Sequence, residues 1–261
     1  MGLQDNLTIY LIPSTMINPN VTNDETAFTD EEFDGIYPEG IERNFWHTCR
    51  NRFILEGLSP HLTYMDVGSG RGVVTDYLYK HGVAIEGAEL GDSNPMLNNT
   101  VPIHHKTDAT ELQLAQRLQI QALTFFDVIE HIEQPIPFLE SMLAAYPNVT
   151  EMVFTVPARQ EIWTNFDEFN RHFMRYNLTD MQRVVNSLGF RVVTNRYFFQ
   201  SLYWLLFAKT RFSRANRDEQ QRPPKGIMAG IHRIIGNLMF WESKLLPKHW
   251  YGSSVFCVCR R

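Results

Sequence analysis

Apolar residues recur along this chain with two periods, and the switches between them mark out its elements. Between residues 38 and 58, Ile41, Phe45, Trp46, Cys49, Phe53, Ile54 and Leu58 fall on one helical face, with Pro38 where a helix start tolerates it. Short strands are then predicted at 62–67, 83–89, 101–105, 120–126, 151–156, 190–199 and 254–259. The fourth is apolar on both faces, as central parallel strands are, and Pro157 stops the fifth. Helices are predicted at 73–80 and 136–145, and a capping-box match, Thr179-Asp-Met-Gln182, opens another that ends at Gly189. Before the last strand, 200–250 reads as a helical insertion. Within it, residues 227–246 carry Ile227, Ile231, Ile234, Ile235, Leu238, Trp241 and Leu245 in one stripe.

Strand, glycine loop, helix, then a strand ending in an acid is the grammar of an α/β, Rossmann-like, doubly wound sheet. Such sheets bind ligands at the carboxyl ends of their central strands, here after strands one, two and four. Residues 1–37, polar, acidic and interrupted by Pro13 and Pro19, read as a weakly structured arm on a single domain spanning 38–261.

Composition narrows the class. With 261 residues, 44% apolar and 20% charged, the chain can bury a full core without staples. Three cysteines, Cys49, Cys257 and Cys259, favour a reducing compartment. No apolar run is long enough to span a bilayer. The first 42 residues hold nine Asp or Glu and no Lys or Arg, which fits neither a secretory nor a transit signal, and Asn6 stands where myristoylation needs Ser or Thr. A cytoplasmic location is expected, and the five Asn-X-Ser/Thr matches read as chance. The net charge of −5 is unevenly shared: residues 209–250 carry nine Lys or Arg against three Asp or Glu, a local +6, so the remainder carries −11. Such a block suits an anionic membrane surface or a phosphorylated substrate, or is simply a solvated helical insertion.

The densest chemical signal is Asp66-Val-Gly68-Ser-Gly70-Arg-Gly72, where glycines let the backbone turn and approach a ligand ahead of a helix N-terminus. Val73 stands where a dinucleotide fingerprint needs its third glycine. Glu89 closes the second strand, where a carboxylate can accept from two ribose hydroxyls. This loop, then Gly87-Ala-Glu89, Asp108-Ala109 and Phe126-Asp127-Val-Ile-Glu130-His131-Ile, resembles the class I S-adenosylmethionine-dependent methyltransferases across residues 64–135. The last stretch resembles in particular the subgroup with ubiquinone-biosynthesis O-methyltransferases and methyltransferases of surface-polysaccharide or lipid pathways.

The resemblance implies a seven-stranded, mostly parallel sheet with an N-terminal helical cap, S-adenosylmethionine as methyl donor and S-adenosylhomocysteine as product. Gly68, Ser69, Gly70 and Gly72 would wrap the methionine part, with Asp66 steadying the loop or the amino group. Glu89 would hold the ribose, Asp108 and the Ala109 N–H the adenine, and Phe126, Asp127 and Val128 the sulfonium side. Arg50 would reach the cofactor carboxylate. Ser69 and Arg71 hold positions where the family often has Cys or Thr, and these are expected to vary without physical consequence.

Methyl transfer is an in-line displacement in which alignment contributes roughly 7–11 kcal/mol. A hydroxyl acceptor gains a further 10²–10⁴ or so in rate from a general base. The candidates are His131 and His172, the latter four residues after Glu168; His47 is a weaker third, and His104-His105 read as strand ends. No metal site is expected, since no closed-zinc spacing occurs and Cys257-x-Cys259 reads as alternate positions of a buried strand. The acidic body argues against nucleic acid, and no G-x-S-x-G elbow supports a hydrolase. The expected acceptor is a small-molecule, glycan or lipid/quinone-like hydroxyl. A small amine remains open, as does an inactive cofactor-binding regulatory partner. Trp241, Leu245, Leu246, Trp250 and Tyr251 would sit at a peripheral membrane contact, cover the sheet edge or form a homodimer contact.

Overall fold

A computed structural model of the chain describes residues 30–212 and 221–261. In chain order its elements are helix α1 (Asp30–Ile36), helix α2 (Phe45–Gly57), strand β1 (Thr63–Val67), helix α3 (Val73–Lys80), strands β2 (Ala84–Glu89) and β3 (Ile103–His105), helix α4 (Leu114–Arg117), strand β4 (Ala122–Phe126), helix α5 (Pro135–Ala145) and strand β5 (Glu151–Pro157). Helices α6 (Asn165–Phe169) and α7 (Leu178–Ser187), strand β6 (Arg191–Phe198), helices α8 (Gln200–Phe212) and α9 (Ile227–Leu245) and strand β7 (Ser254–Arg260) complete it.

The strands form one sheet in the order β3-β2-β1-β4-β5-β7-β6. Pairing is parallel from β3 to β5, while β7 enters antiparallel between β5 and β6. This is the expected seven-stranded, mostly parallel, doubly wound architecture. The order reverses between β1 and β4, which opens a crevice at their carboxyl ends.

Side-chain alternation divides the apolar interior into two cores. Met65, Leu123, Phe125, Met152, Phe154, Val156, Cys257 and Cys259 point to one face, where Leu139 and Met142 of α5 and Met181 and Val185 of α7 cover them. Tyr64, Ala122, Phe126, Val153, Phe256 and Val258 point to the other, beneath Phe53 and Ile54 of α2, Val74 and Leu78 of α3 and Phe240 of α9. Cys257 and Cys259 are thus alternate positions of a buried strand, as read from the sequence.

Three local expectations change. The helix expected from Pro38 starts at Phe45: Gly40, at φ +90°, turns the chain, and the Asn44 side chain accepts from the Trp46 N–H as the cap. The capping residues of α7 are Asn177 and Asp180 rather than Thr179 and Gln182, because the Asp180 carboxylate accepts from the Asn177 N–H at 2.9 Å. Within the arm expected to be weakly structured, residues 30–36 form α1, since Phe33 and Ile36, one turn apart, are buried against the body. The rest of that arm lies outside the described residues. Among the described residues no helix is long and apolar enough to cross a membrane.

Candidate active site

Two cavities meet above the carboxyl ends of β1 and β4. The larger, about 550 Å³, lies over the glycine loop; the smaller, about 260 Å³, lies beyond it toward α6 and α8. Ile36, Tyr37, Asp127, His131 and Asn170 border both.

Eleven of the twelve residues assigned to cofactor binding from sequence line the larger cavity: Arg50, Asp66, Gly68, Ser69, Gly70, Glu89, Asp108, Ala109, Phe126, Asp127 and Val128. Gly72 does not. It caps α3 at φ +82°, and a Cβ there would lie 2.5 Å from Ile103 Cδ1, so its glycine serves the turn. The loop is pinned by β2: the Gly68 and Ser69 N–H groups both donate to the Ala88 carbonyl, at 2.8 and 3.1 Å. The Ser69 hydroxyl sits over Gly87, where a Cβ would approach it to 2.6 Å. Gly70 is the open glycine; a Cβ built on it meets nothing nearer than Phe33, at 3.5 Å.

Beneath the loop, both Asp66 carboxylate oxygens have partners, Thr75 Oγ1 at 2.5 Å and Thr124 Oγ1 at 2.8 Å. Of its two expected roles, this geometry serves the steadying of the loop. Burial raises its carboxyl to about 6. Glu89 accepts from the Gly70 and Gly91 N–H groups at 2.8 and 2.7 Å, fixing both oxygens at the cavity wall; burial raises its pKa as well. Asp108 caps a short 3-10 turn by accepting from Thr110.

Arg50, buried, donates to Asp127 Oδ2 at 2.8 Å and to Thr155 Oγ1 at 3.0 Å, and lies 4.7 Å from the centre of the Trp46 ring. Its Nε has no protein partner. Asp127 holds a left-handed backbone (φ +58°), tied down by its N–H to the Thr155 carbonyl at 2.8 Å. An orphaned guanidinium N–H and a preset carboxylate at the cavity wall fit a ligand with a carboxylate and an amine, as a methionine moiety has.

At the junction stand the histidines. His131 closes a 3-10 turn after β4, its ring 4.7 Å from that of His172 and nearly perpendicular to it. Burial and its neighbour His172 lower its pKa to about 3, so it is neutral at physiological pH. His172 Nδ1 lies 2.9 Å from Asp167 Oδ1, and Arg175 grips both Asp167 oxygens at 2.8 and 2.9 Å. Burial opposes ionisation of Asp167, yet the His172 and Arg175 bonds hold its carboxyl well below the usual range. The partner of His172 is therefore Asp167, not Glu168: α6 ends at Phe169, and the chain folds back over its last turn. His47 is buried at the wall of the smaller cavity, its pKa lowered to about 3 by burial and by Arg50. His104 instead faces Glu86 at 3.1 Å, and His105 faces Ser93.

Three features escaped the sequence reading. Phe33, Ile36 and Tyr37 of the acidic arm border the cavities, and burial raises the Tyr37 hydroxyl to about 12. Arg71, expected to vary freely, is buried and donates to Asp34 (2.6 Å), the Tyr37 carbonyl (2.8 Å), Glu39 (2.9 Å) and the Asn94 carbonyl (2.9 Å), clamping the arm across the larger cavity. Glu130 is fully buried with neither carboxylate oxygen partnered, and burial and Asp127 raise its pKa well above normal. Its donor atoms and those of His131 and His172 lie within 4.8 Å of one another. The set suits either an acid–base network or a divalent cation, and no local spacing in the sequence announces it.

Comparison with known proteins bears on this arrangement. No curated protein matches the chain in sequence. Among solved structures it resembles an S-adenosylmethionine-dependent methyltransferase from Archaeoglobus fulgidus, at 15% identity over 82% of this chain and 92% of that one, with a TM-score of 0.50. It also resembles the magnesium protoporphyrin IX methyltransferase of Synechocystis PCC 6803 (13% identity, 88% and 93% covered, TM-score 0.48). A third is a phosphoethanolamine N-methyltransferase of Haemonchus contortus (15% identity, 81% and 52% covered, TM-score 0.49). A family model described as a methyltransferase domain matches residues 41–195, more than half of the chain, from just ahead of α2 into β6. The chain belongs to this methyltransferase-domain family.

Proposed function

We propose that this methyltransferase holds S-adenosylmethionine in the larger cavity and methylates a hydroxyl of a small-molecule, glycan or lipid/quinone-like acceptor seated in the smaller one. The observation that carries the reading is the meeting of the two cavities at Asp127 and His131, with a carboxylate-oriented histidine alongside. When bound, S-adenosylmethionine supplies an electrophilic methyl on a sulfonium. Glu89 and Asp108 would bind its nucleoside, and Arg50 and the Gly70 backbone its methionine part.

The chain's own groups then do three things. Tyr37, Trp46 and Phe166 wall the smaller cavity with aromatic surface. Asp167, held by Arg175, keeps the proton of His172 on Nδ1 and leaves Nε2 to accept one from the acceptor hydroxyl. His131, neutral, packs against that ring and holds its place. A second reading, an amine acceptor, draws support from the Asp127 carboxylate, which borders both cavities and complements a cation.

The test has two stages. Calorimetric titration with S-adenosylmethionine and S-adenosylhomocysteine should give binding that weakens about tenfold in Glu89→Ala, or about 1.4 kcal/mol. Absence of binding overturns the reading. A panel of phenols, sugars and long-chain alcohols against primary amines then assigns the acceptor atom. For a hydroxyl, His172→Gln should lower kcat by about 10²–10⁴ with unchanged donor affinity; turnover of amines alone moves the assignment to nitrogen. Tight donor binding with no turnover on any acceptor favours a regulatory, catalytically silent role.

A further inference from the structure

Helix α9 is more apolar toward solvent than toward the protein. Ile227, Ile231, Ile234, Leu238, Trp241 and Leu245 form one outward stripe, with Ile227 at 86% and Leu245 at 79% exposure. The residues it buries are Gly236, Phe240 and Ser243. On α8, Trp204 and Leu205 are likewise exposed, and Trp250 and Tyr251 follow α9 on the surface. An apolar face of this extent on a globular chain marks a contact surface.

What fits it is decided by charge. Lys209, Arg211, Lys225, Arg233, Lys244 and Lys248 are exposed on the same insertion. Among its described residues Glu242 is the one acid, and its carboxylate accepts from the Ser201 N–H at 2.6 Å. The rest of the chain carries a net −11 by sequence. An isologous contact between two copies would set this basic rim against its own twin, which like-charge repulsion disfavours. An anionic lipid surface attracts the rim, repels the acidic body and so presents the stripe to the acyl boundary, with tryptophans at headgroup depth.

We propose that the α8–α9 face docks in the plane of an anionic membrane surface. The helix lies on the bilayer and does not cross it. The far side of α8 supplies Leu202 and Leu206 to the wall of the smaller cavity. Docking therefore places the candidate acceptor site beside the bilayer surface. The proposal holds or fails independently of the methyl-transfer reading, because its test measures partition and not turnover.

The full chain is sedimented with vesicles of phosphatidylcholine alone and of equimolar phosphatidylcholine and phosphatidylglycerol. The expected result is partition onto the anionic vesicles that weakens in high salt and falls about tenfold or more in Leu238→Asp and in Arg233→Glu/Lys225→Glu. All three positions are exposed, so thermal melting of the variants should match the wild type. Failure to bind anionic vesicles, or equal binding by Leu238→Asp, overturns the proposal. So does a concentration-dependent dimer in analytical ultracentrifugation that Leu238→Asp abolishes, which would give the face to a second copy.

Discussion

Asp66 ionises at about 6 in the folded chain against 3.8 for an unburied carboxyl. Between those values the folded state keeps a proton that the unfolded state has released, so stability falls as pH rises through the window. The shift corresponds to about 3 kcal/mol. From about pH 4 to about pH 6.5 the wild type should lose that much stability relative to Asp66→Asn, read by urea unfolding; parallel curves would show that the carboxyl titrates normally. The His131, His172 and Glu130 cluster gives a second expectation. If it works as an acid–base network, exhaustive dialysis against EDTA leaves turnover unchanged, whereas a loss restored by a divalent cation would assign the cluster to metal. At this scale, what could be read from sequence was what neighbours along the chain decide: the glycine loop, Glu89 and Asp108 each declare themselves within a few positions. The bond from Asp167 to His172 did not, because helical spacing points to Glu168 and only the end of α6 at Phe169 turns the chain back. Glu130 stayed silent for a related reason, its isolation being a property of the walls around it.

Helix α9 packs on α2 with a small residue, Gly236, at the contact. A Cβ at Gly236 would lie 2.8 Å from the Phe45 carbonyl oxygen and 2.8 Å from Thr48 Cβ. Alanine would gain up to about 1 kcal/mol in helix propensity, yet overpacking against backbone costs about 1–3 kcal/mol. Gly236→Ala should therefore lower the melting temperature, while Gly230→Ala, where a Cβ meets nothing, should raise it. Equal shifts at the two sites would contradict this packing. The sequence pattern located α9 correctly but could not say which way its stripe faces. Amphipathicity is a statement about contrast around a helix, and in α9 the apolar side is turned to solvent because Gly236 provides the close approach to α2.

Across the whole molecule, one guanidinium joins parts far apart in the chain. Arg71 ties the arm residues Asp34 and Tyr37, and Glu39 just after them, to Asn94 over the larger cavity. Arg71→Gln should weaken donor binding about tenfold, or about 1.4 kcal/mol, with little change in melting temperature; unaltered affinity would mean the arm does not close on the ligand. The overall topology was legible because each strand and its following turn are local signals. The closing of the arm was not, since the acidic surroundings of Phe33 and Ile36 hid their apolar pairing.

The placement of β7 carries a consequence for how the chain comes to be. It pairs with β5 through Glu151–Arg260 to Pro157–Ser254 and with β6 along its other edge. During synthesis β5 and β6 therefore emerge with no strand between them, and the slot stays open until residues 254–260 have cleared the ribosome. Until then the facing edges of β5 and β6 lack their partner, the condition in which nascent chains aggregate. Vectorial translation thus leaves this fold unfinished until its seventh strand arrives, and a ribosome stalled before residue 254 should expose β5 to protease while the released chain, with β7 in place, should not.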